Sequence, residues 1–143
     1  MKDQIKQTLL ARAKEARERA YSPYSGFAVG AALLCKSGRI TCGANVENAS
    51  FSPTCCAERV AVFAAIGEGE REFEAIAVVG GKRGEPTRLC PPCGVCRQVL
   101  AEFCDGNFEI ILEEEGQIRT LTLSELLPYT FSLKNEDSEE PIA

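Results

Sequence analysis

The chain has 143 residues, a formal net charge of −5 and 45% hydrophobic residues, which is enough for one domain with its own core. The acidic balance argues against nucleic acid as a partner, because nucleic acids are bound through basic patches. The densest basic run, 14–19, is interleaved with glutamates and indicates a solvated helix face.

No apolar run reaches the ~20 residues of a membrane-spanning helix, and the polar N-terminus lacks a signal-peptide pattern. We therefore predict a cytoplasmic protein without a membrane partner.

Cysteine is abundant and histidine is absent. The chain has eight cysteines and no histidine. In a reducing compartment, clustered cysteines are more often metal ligands or catalytic groups than disulfides. Any metal must therefore be bound by thiolates or carboxylates, and a general base must be Asp, Glu, Lys, Tyr or Cys.

Hydrophobic periodicity predicts alternating helices and strands. Residues 3–20 carry apolar residues at helical spacing, and 27–34 form a strand covered on both faces. Residues 39–47 alternate, so Asn45 and Glu47 share one strand face. The remaining predicted elements are, in chain order, a helix over 56–68, a strand over 75–80, a helix over 93–104, strands over 108–112 and 118–123, and a short helix over 124–127 capped by Ser124.

This order predicts an α/β fold, a three-layer α-β-α sandwich around a mixed five-stranded sheet. The helix over 56–68 is apolar nearly all round, which predicts that it is buried. Residues 113–116 are predicted to form a turn. One domain is expected over 1–133, followed by an acidic tail over 134–143 that is expected to be disordered.

Two short segments carry metal-binding chemistry. Residues 53–59 read PTCCAER, and residues 91–97 read PPCGVCR. Cys93 and Cys96 lie one helical turn apart, and Cys56 begins another predicted helix. Three thiolates between two helix N-termini would bind Zn²⁺ and leave a fourth position open, as catalytic zinc sites do.

Charged side chains beside the thiols complete this pattern. Arg59 follows Cys56 by three residues and Arg97 follows Cys93 by four, so both are predicted to donate hydrogen bonds to sulfur and to draw charge off the ligands. The two helix N-termini each add roughly half a positive charge. Glu58 is predicted to carry the proton beside zinc-activated water.

Spacing alone leaves two other interpretations open. A lone C-x-x-C is also typical of a redox dithiol, although a redox pair needs neither a third cysteine nor a glutamate. A structural zinc ribbon needs a fourth ligand, which Cys55 or Cys90 could supply. The open catalytic site is the interpretation that the pattern favours.

The two segments resemble the signature of zinc-dependent nucleoside deaminases, in which a glutamate that is not a ligand moves the proton. More specifically, the chain resembles the small homotetrameric cytidine deaminases. The matching segments follow in order at 24–27 (YSGF), 29–34 (VGAALL), 45–48 (NVEN), 56–59 (CAER), 92–98 (PCGVCRQ) and 125–128 (ELLP). The resemblance implies one zinc ion per chain, held by Cys56, Cys93 and Cys96.

The resemblance also implies a reaction. Cytidine and 2′-deoxycytidine would be hydrolysed to uridine and 2′-deoxyuridine with release of ammonia, as in pyrimidine salvage. Zinc-activated water would attack C4 of the cytosine, while Glu58 passes the proton to N3 and helps ammonia leave. The N–H of Ala57 would bind the pyrimidine O2, and the carbonyl of Pro91 would accept a hydrogen bond from the leaving amine.

Further substrate contacts follow from the same resemblance. Asn45 and Glu47 would bind the ribose 3′-hydroxyl, and Phe27 and Val29 would line the base pocket. Phe131 would close the pocket from a neighbouring subunit of a homotetramer. The anionic Glu47 opposes a phosphate near the sugar, so we expect a nucleoside rather than a nucleotide as substrate.

One residue departs from the family pattern, and two functions other than cytidine deamination stay open. Phe51 stands where the family usually has tyrosine, so a hydroxyl contact to the 5′-hydroxyl across a subunit boundary is in doubt. A deaminase of a cytosine nucleoside antibiotic such as blasticidin shares the zinc motifs, but the segment 45–48 and Arg59 favour cytidine. A non-enzymatic structural zinc module would instead have a closed four-cysteine site.

Overall fold

The computed structural model describes residues 1–134 of the chain. It contains four helices and five strands in this part. The helices are α1 (Asp3–Arg17), α2 (Ala57–Gly67), α3 (Gly94–Phe103) and α4 (Leu123–Leu126), and the strands are β1 (Phe27–Cys35), β2 (Ile40–Ala44), β3 (Phe73–Lys82), β4 (Glu109–Glu114) and β5 (Gln117–Thr122). Within the described part, no helix has both the length and the apolar character needed to span a membrane. The predicted acidic tail, apart from Lys134, lies outside the described residues.

The five strands form one mixed sheet with the order β2-β1-β3-β4-β5. Only β3 and β4 pair in parallel, and the other three pairings are antiparallel. Leu9 and Ala13 of α1 pack with Ala32, Ala77 and Ile111 on one face of the sheet. Buried residues of α2 and α3 belong to a second cluster on the opposite face. The predicted three-layer α-β-α sandwich around a mixed five-stranded sheet is therefore confirmed.

Local hydrogen bonds and backbone geometry explain two of the boundaries that differ from the prediction. The cap of α4 is Thr122 and not Ser124, since Thr122 Oγ1 accepts from the Glu125 N–H while the Glu125 carboxylate accepts from the Thr122 N–H. This reciprocal pair is a capping box. The turn predicted over 113–116 contracts to Glu115 and Gly116, whose φ angles of 51° and 80° suit a tight hairpin.

Helix α2 packs on the sheet through one face only. Ala57, Ala61 and Ala65 are fully buried, whereas Phe63 is 51% exposed. The prediction that this helix is buried all round is thus wrong for the single chain. Phe63 and Ala64, which lie away from the sheet, are exposed.

Gly43 of β2 lets α2 begin directly against the sheet. A Cβ atom at this position would stand 2.6 Å from the Ala57 carbonyl oxygen and 2.6 Å from the Ala61 nitrogen. Both are backbone atoms, which cannot rotate out of the way. Since Cys56 and Glu58 lie at the start of α2, this close approach determines how far both residues lie from the sheet.

We predict that Gly43→Ala lowers the free energy of unfolding by about 1–3 kcal/mol, because the added methyl group overpacks the contact between β2 and α2. Urea denaturation measures this difference. Gly67→Ala is the matched control, since a Cβ atom there meets nothing within 4 Å. Equal effects of the two substitutions would contradict the close-approach explanation.

Candidate metal centre and active site

Three sulfur atoms converge where α2 and α3 begin. Cys56 is the N-cap of α2, Cys93 is the N-cap of α3, and Cys96 lies in the first turn of α3. Their sulfur atoms lie within 4.8 Å of one another, and those of Cys56 and Cys93 are 3.8 Å apart. A tetrahedral zinc ion with Zn–S bonds of about 2.3 Å would separate two sulfurs by roughly 3.8 Å. The donor set and its spacing therefore fit Zn²⁺.

The cluster offers three ligands rather than four. No further Cys, Asp or Glu joins the three sulfurs among residues 1–134. Cys55 and Cys90, the two candidates for a fourth ligand, line the adjacent cavity instead. A three-ligand site leaves one coordination position for water, so the closed site of a structural zinc module is not formed.

Hydrogen bonds to sulfur set the ionisation of the cluster. A hydrogen bond from Cys96, together with one from Arg59, lowers the pKa of the Cys56 thiol to about 5 despite its partial burial. The Arg59 Nη2 lies 3.4 Å from the Cys56 sulfur, as predicted for this arginine. The hydrogen bond between Cys96 and Cys56 also raises the pKa of the Cys96 thiol, because Cys96 is the donor and must keep its proton. Of these two cysteines, Cys56 is therefore the first to become a thiolate.

Arg97 differs from the prediction. Its Nε donates to the Pro92 carbonyl at 2.7 Å, and its Nη1 donates to the Leu126 carbonyl at 2.8 Å. The guanidinium thus serves two backbone oxygens in place of the predicted sulfur. The spacing of four residues from Cys93 places both residues on one side of α3, but it does not fix the direction of so long a side chain.

A cavity of about 260 Å³ opens beside the three sulfurs. This volume lies just below the range for small-molecule sites, ~300–1,000 Å³. Its walls include most of the residues that were predicted to contact substrate. These are Phe27, Val29, Asn45, Glu47 and Pro91.

Glu58 presents a buried carboxyl to the same cavity. The residue is only 4% exposed, and burial raises the pKa of its carboxyl to about 7. A carboxyl with such a pKa exchanges protons readily near neutral pH. Ala57 precedes it as the first residue of α2, so the Ala57 N–H has no acceptor within the helix.

Asn45 performs a structural task that the sequence did not reveal. Its Oδ1 accepts from the Val29 N–H at 2.8 Å, and its Nδ2 donates to the Phe27 carbonyl at 2.9 Å. The side-chain amide thereby continues the pairing of β1 beyond the end of β2. The backbone positions of two cavity-lining residues, Phe27 and Val29, depend on it.

Glu47 is held by the loop that precedes β1. Its carboxylate accepts hydrogen bonds from the Ser25 hydroxyl, the Ser25 N–H and the Tyr24 N–H. These bonds, chiefly the one from the Ser25 hydroxyl, lower the pKa of Glu47. The cavity wall therefore carries a fixed negative charge at neutral pH.

Two arginines outside the motifs support the walls of the site. Arg17 donates to the carbonyls of Ala28 and Gly81 at 2.9 Å each, which contradicts the solvated face predicted for 14–19 at this residue. The Arg88 guanidinium lies 5.2 Å from the centroid of the Phe27 ring, within cation–π range. Sequence pattern gives no signal for either contact, because both depend on how distant segments meet.

Phe131, a predicted substrate contact, and Phe51, which replaces the usual tyrosine, lie outside the cavity of their own chain. Phe131 is 68% exposed, and its carbonyl accepts from Gln98 Nε2 at 3.1 Å. Phe51 is exposed in the loop before α2. A role for Phe131 in substrate binding therefore requires a second chain.

An open three-sulfur metal site beside a buried carboxyl defines a zinc-dependent hydrolytic enzyme. A family model described as the cytidine and deoxycytidylate deaminase zinc-binding region matches residues 3–111. The chain belongs to the cytidine and deoxycytidylate deaminase family.

Individual relatives agree with this assignment. The cytidine deaminase of Sporosarcina psychrophila is 50% identical over 125 residues, which cover 87% of this chain and 89% of the relative. That of Halalkalibacterium halodurans is 50% identical over 131 residues, covering 91% and 96%. The crystal structure of cytidine deaminase from Burkholderia pseudomallei has a TM-score of 0.80 and 45% identity, covering 87% of this chain and 98% of that chain. A blasticidin-S deaminase of Bacillus cereus is more distant, 29% identical over 108 residues, covering 73% and 76%.

We predict that the purified chain contains about one zinc per chain and that Cys93→Ser lowers this content several-fold, because a hydroxyl is a poorer zinc ligand than a thiolate. Elemental analysis after dialysis against a mild chelator measures both. Cys90→Ser is the matched control and should keep about one zinc. An equal loss of zinc from the Cys90 variant would show that the site has four sulfur ligands.

Proposed function

We propose that this chain hydrolyses cytidine and 2′-deoxycytidine to uridine and 2′-deoxyuridine, a reaction of pyrimidine salvage. The oxygen of water replaces the exocyclic nitrogen at C4, and that nitrogen leaves as ammonia. The observation that carries the proposal is the shared cavity, which the Glu58 carboxyl lines together with the thiols of Cys56 and Cys93.

Cys56, Cys93 and Cys96 would hold the zinc ion, which would supply Lewis acidity that lowers the pKa of a nearby water molecule. Glu58 accepts a proton from this water and delivers it to N3 of the cytosine. Its pKa of about 7 suits both halves of this transfer. The same carboxyl then takes the proton of the new hydroxyl on C4 and gives it to the amino group, so that C4 becomes the carbonyl carbon of uridine as ammonia leaves.

Two backbone groups orient the base. The Ala57 N–H, at the positive end of α2, donates to the pyrimidine O2. The Pro91 carbonyl accepts from the exocyclic amine. Proline is suited to this position because only its carbonyl is used, and Pro91 lines the cavity.

The sugar is bound at the opposite wall of the cavity. Asn45 Nδ2 has a second hydrogen beyond the one given to Phe27, and the Glu47 carboxylate retains lone pairs that can accept from the ribose 3′-hydroxyl. Phe27 and Val29 contact the base. The fixed charge on Glu47 disfavours phosphorylated substrates.

We predict that Glu58→Ala lowers the turnover of cytidine by ~10²–10⁴, because it removes the proton carrier, while zinc content is retained. The decrease of cytidine absorbance with time measures turnover. Glu74→Ala changes an exposed glutamate of β3 and should retain wild-type activity. Normal turnover in the Glu58 variant would remove the assigned role.

The active unit is a homotetramer whose cavities are completed by Phe131 of neighbouring subunits. Support comes from the apolar side chains that the single chain leaves exposed, among them Phe63, Val95 and Phe131. A groove of about 450 Å³ between α2 and α3 is lined partly by Phe63, Val95 and Phe103. Contiguous exposed apolar surface of this kind marks a protein–protein contact.

Subunit complementation tests this arrangement. We predict that Phe131→Ala lowers activity about tenfold through loss of the aromatic contact to the base. Hybrid tetramers of Phe131→Ala and Glu58→Ala chains, purified by two affinity tags, should exceed the activity of the Phe131→Ala parent, because some cavities regain both groups. Hybrids with half the activity of that parent would contradict completion between subunits.

A cytoplasmic location is consistent with the state of the thiols. All eight cysteines, each within the described residues, are free. Free thiols persist in reducing compartments.

A further inference from the structure

We propose that Arg97 is a positioning residue that holds the turn formed by Pro91, Pro92 and Cys93 against α4. The inference rests on the zinc site of the proposed function, since this turn carries one metal ligand and one substrate-binding carbonyl. Arg97 itself contacts neither sulfur nor the cavity. It acts through the backbone of the turn.

The turn cannot be fixed by its own backbone donors. Pro91 and Pro92 have no N–H, so neither of these consecutive residues can donate a backbone hydrogen bond. Pro92 is also fully buried, and a buried carbonyl requires a partner. Arg97 Nε supplies this partner at 2.7 Å, as a charged donor.

The other end of the guanidinium is anchored on α4. Leu126 is the last residue of this helix. The last carbonyls of a helix receive no hydrogen bond from an N–H of the same helix. Arg97 Nη1 donates to the Leu126 carbonyl at 2.8 Å. The anchor is firm because Leu123 is buried and Thr122 caps the helix.

The planar shape of the guanidinium matters for this bridge. Arginine presents several N–H donors in a rigid fork, whereas lysine offers a single flexible ammonium group. One guanidinium can therefore fix the distance between the Pro92 carbonyl and the Leu126 carbonyl. A lysine at position 97 would donate to one carbonyl at a time and leave the turn free to shift.

Such a shift would move Cys93 and the Pro91 carbonyl together. Cys93 follows Pro92 directly, and its thiol is exposed, so little packing would hold the sulfur in place. Removing a group that orients metal ligands typically costs 10–100-fold in metal affinity or activity. We therefore expect both faster zinc release and slower chemistry when Arg97 is replaced.

The test uses the full-length, zinc-loaded chain and its Arg97→Ala and Arg97→Lys variants. Transfer of zinc to a chromophoric chelator is followed with time, and kcat and KM for cytidine are measured on the same samples. Zinc release from Arg97→Ala should be ~10–100-fold faster than from wild type. The kcat should fall by a similar factor, while KM should rise by a smaller factor, since Asn45 and Glu47 would still bind the sugar.

Added guanidinium ion should slow zinc release from Arg97→Ala, and an equal concentration of sodium chloride should not. Arg119→Ala is the matched control, because Arg119 is an exposed residue of β5 that pairs with Glu114. It should release zinc at the wild-type rate. Lysine at position 97 preserves the positive charge and most of the bulk. If Arg97→Ala does not fold, zinc release is therefore compared between Arg97→Lys and wild type.

Zinc release at the wild-type rate from either folded Arg97 variant would overturn the proposal. So would an effect of sodium chloride as large as that of guanidinium ion. Zinc-loaded wild type that leaves cytidine unchanged would instead contradict the proposed function. The zinc-release comparison would still decide the role of Arg97 in that case, so the two failures are distinguishable.

Discussion

The structure depends on holding three sulfur atoms within 4.8 Å of one another at the starts of two helices. Thiolates at this separation repel each other, so positive charge must be close. Two helix N-termini and Arg59 provide it, and hydrogen bonds from Cys96 and Arg59 lower the pKa of the Cys56 thiol. The rest of the sandwich serves this convergence, since Gly43 brings α2 onto the sheet and the turn before α3 brings in Cys93.

The site separates chemistry from recognition. Zinc ligands and Glu58 come from the starts of two helices, whereas Asn45 and Glu47 come from the segment that follows β2. Each recognition residue is itself held by backbone groups near the start of β1. The cavity is thereby preorganised before substrate enters, which limits the ordering that binding must later impose.

Local patterns predicted the elements of the fold and its layers, because periodicity of two or 3.6 residues depends only on which side of an element is buried. They failed where a competing local group decided a boundary, as Thr122 did against Ser124. The exposed face of α2 was misjudged, since apolar character alone does not show which side of a helix its own chain covers. Cysteine spacing predicted the three-sulfur cluster well. The contacts of Arg97, Arg17 and Asn45 were not predictable, because each joins segments distant in sequence.

The central claim is that zinc held by three cysteines enables hydrolysis of cytidine. The most direct measurement removes metal from the wild-type chain with a chelator, adds zinc back in steps, and follows cytidine absorbance and ammonia release after each step. The account predicts no turnover without metal, and turnover that rises with zinc and saturates at about one equivalent per chain. A folded chain that binds one equivalent of zinc and leaves cytidine and 2′-deoxycytidine unchanged would contradict it.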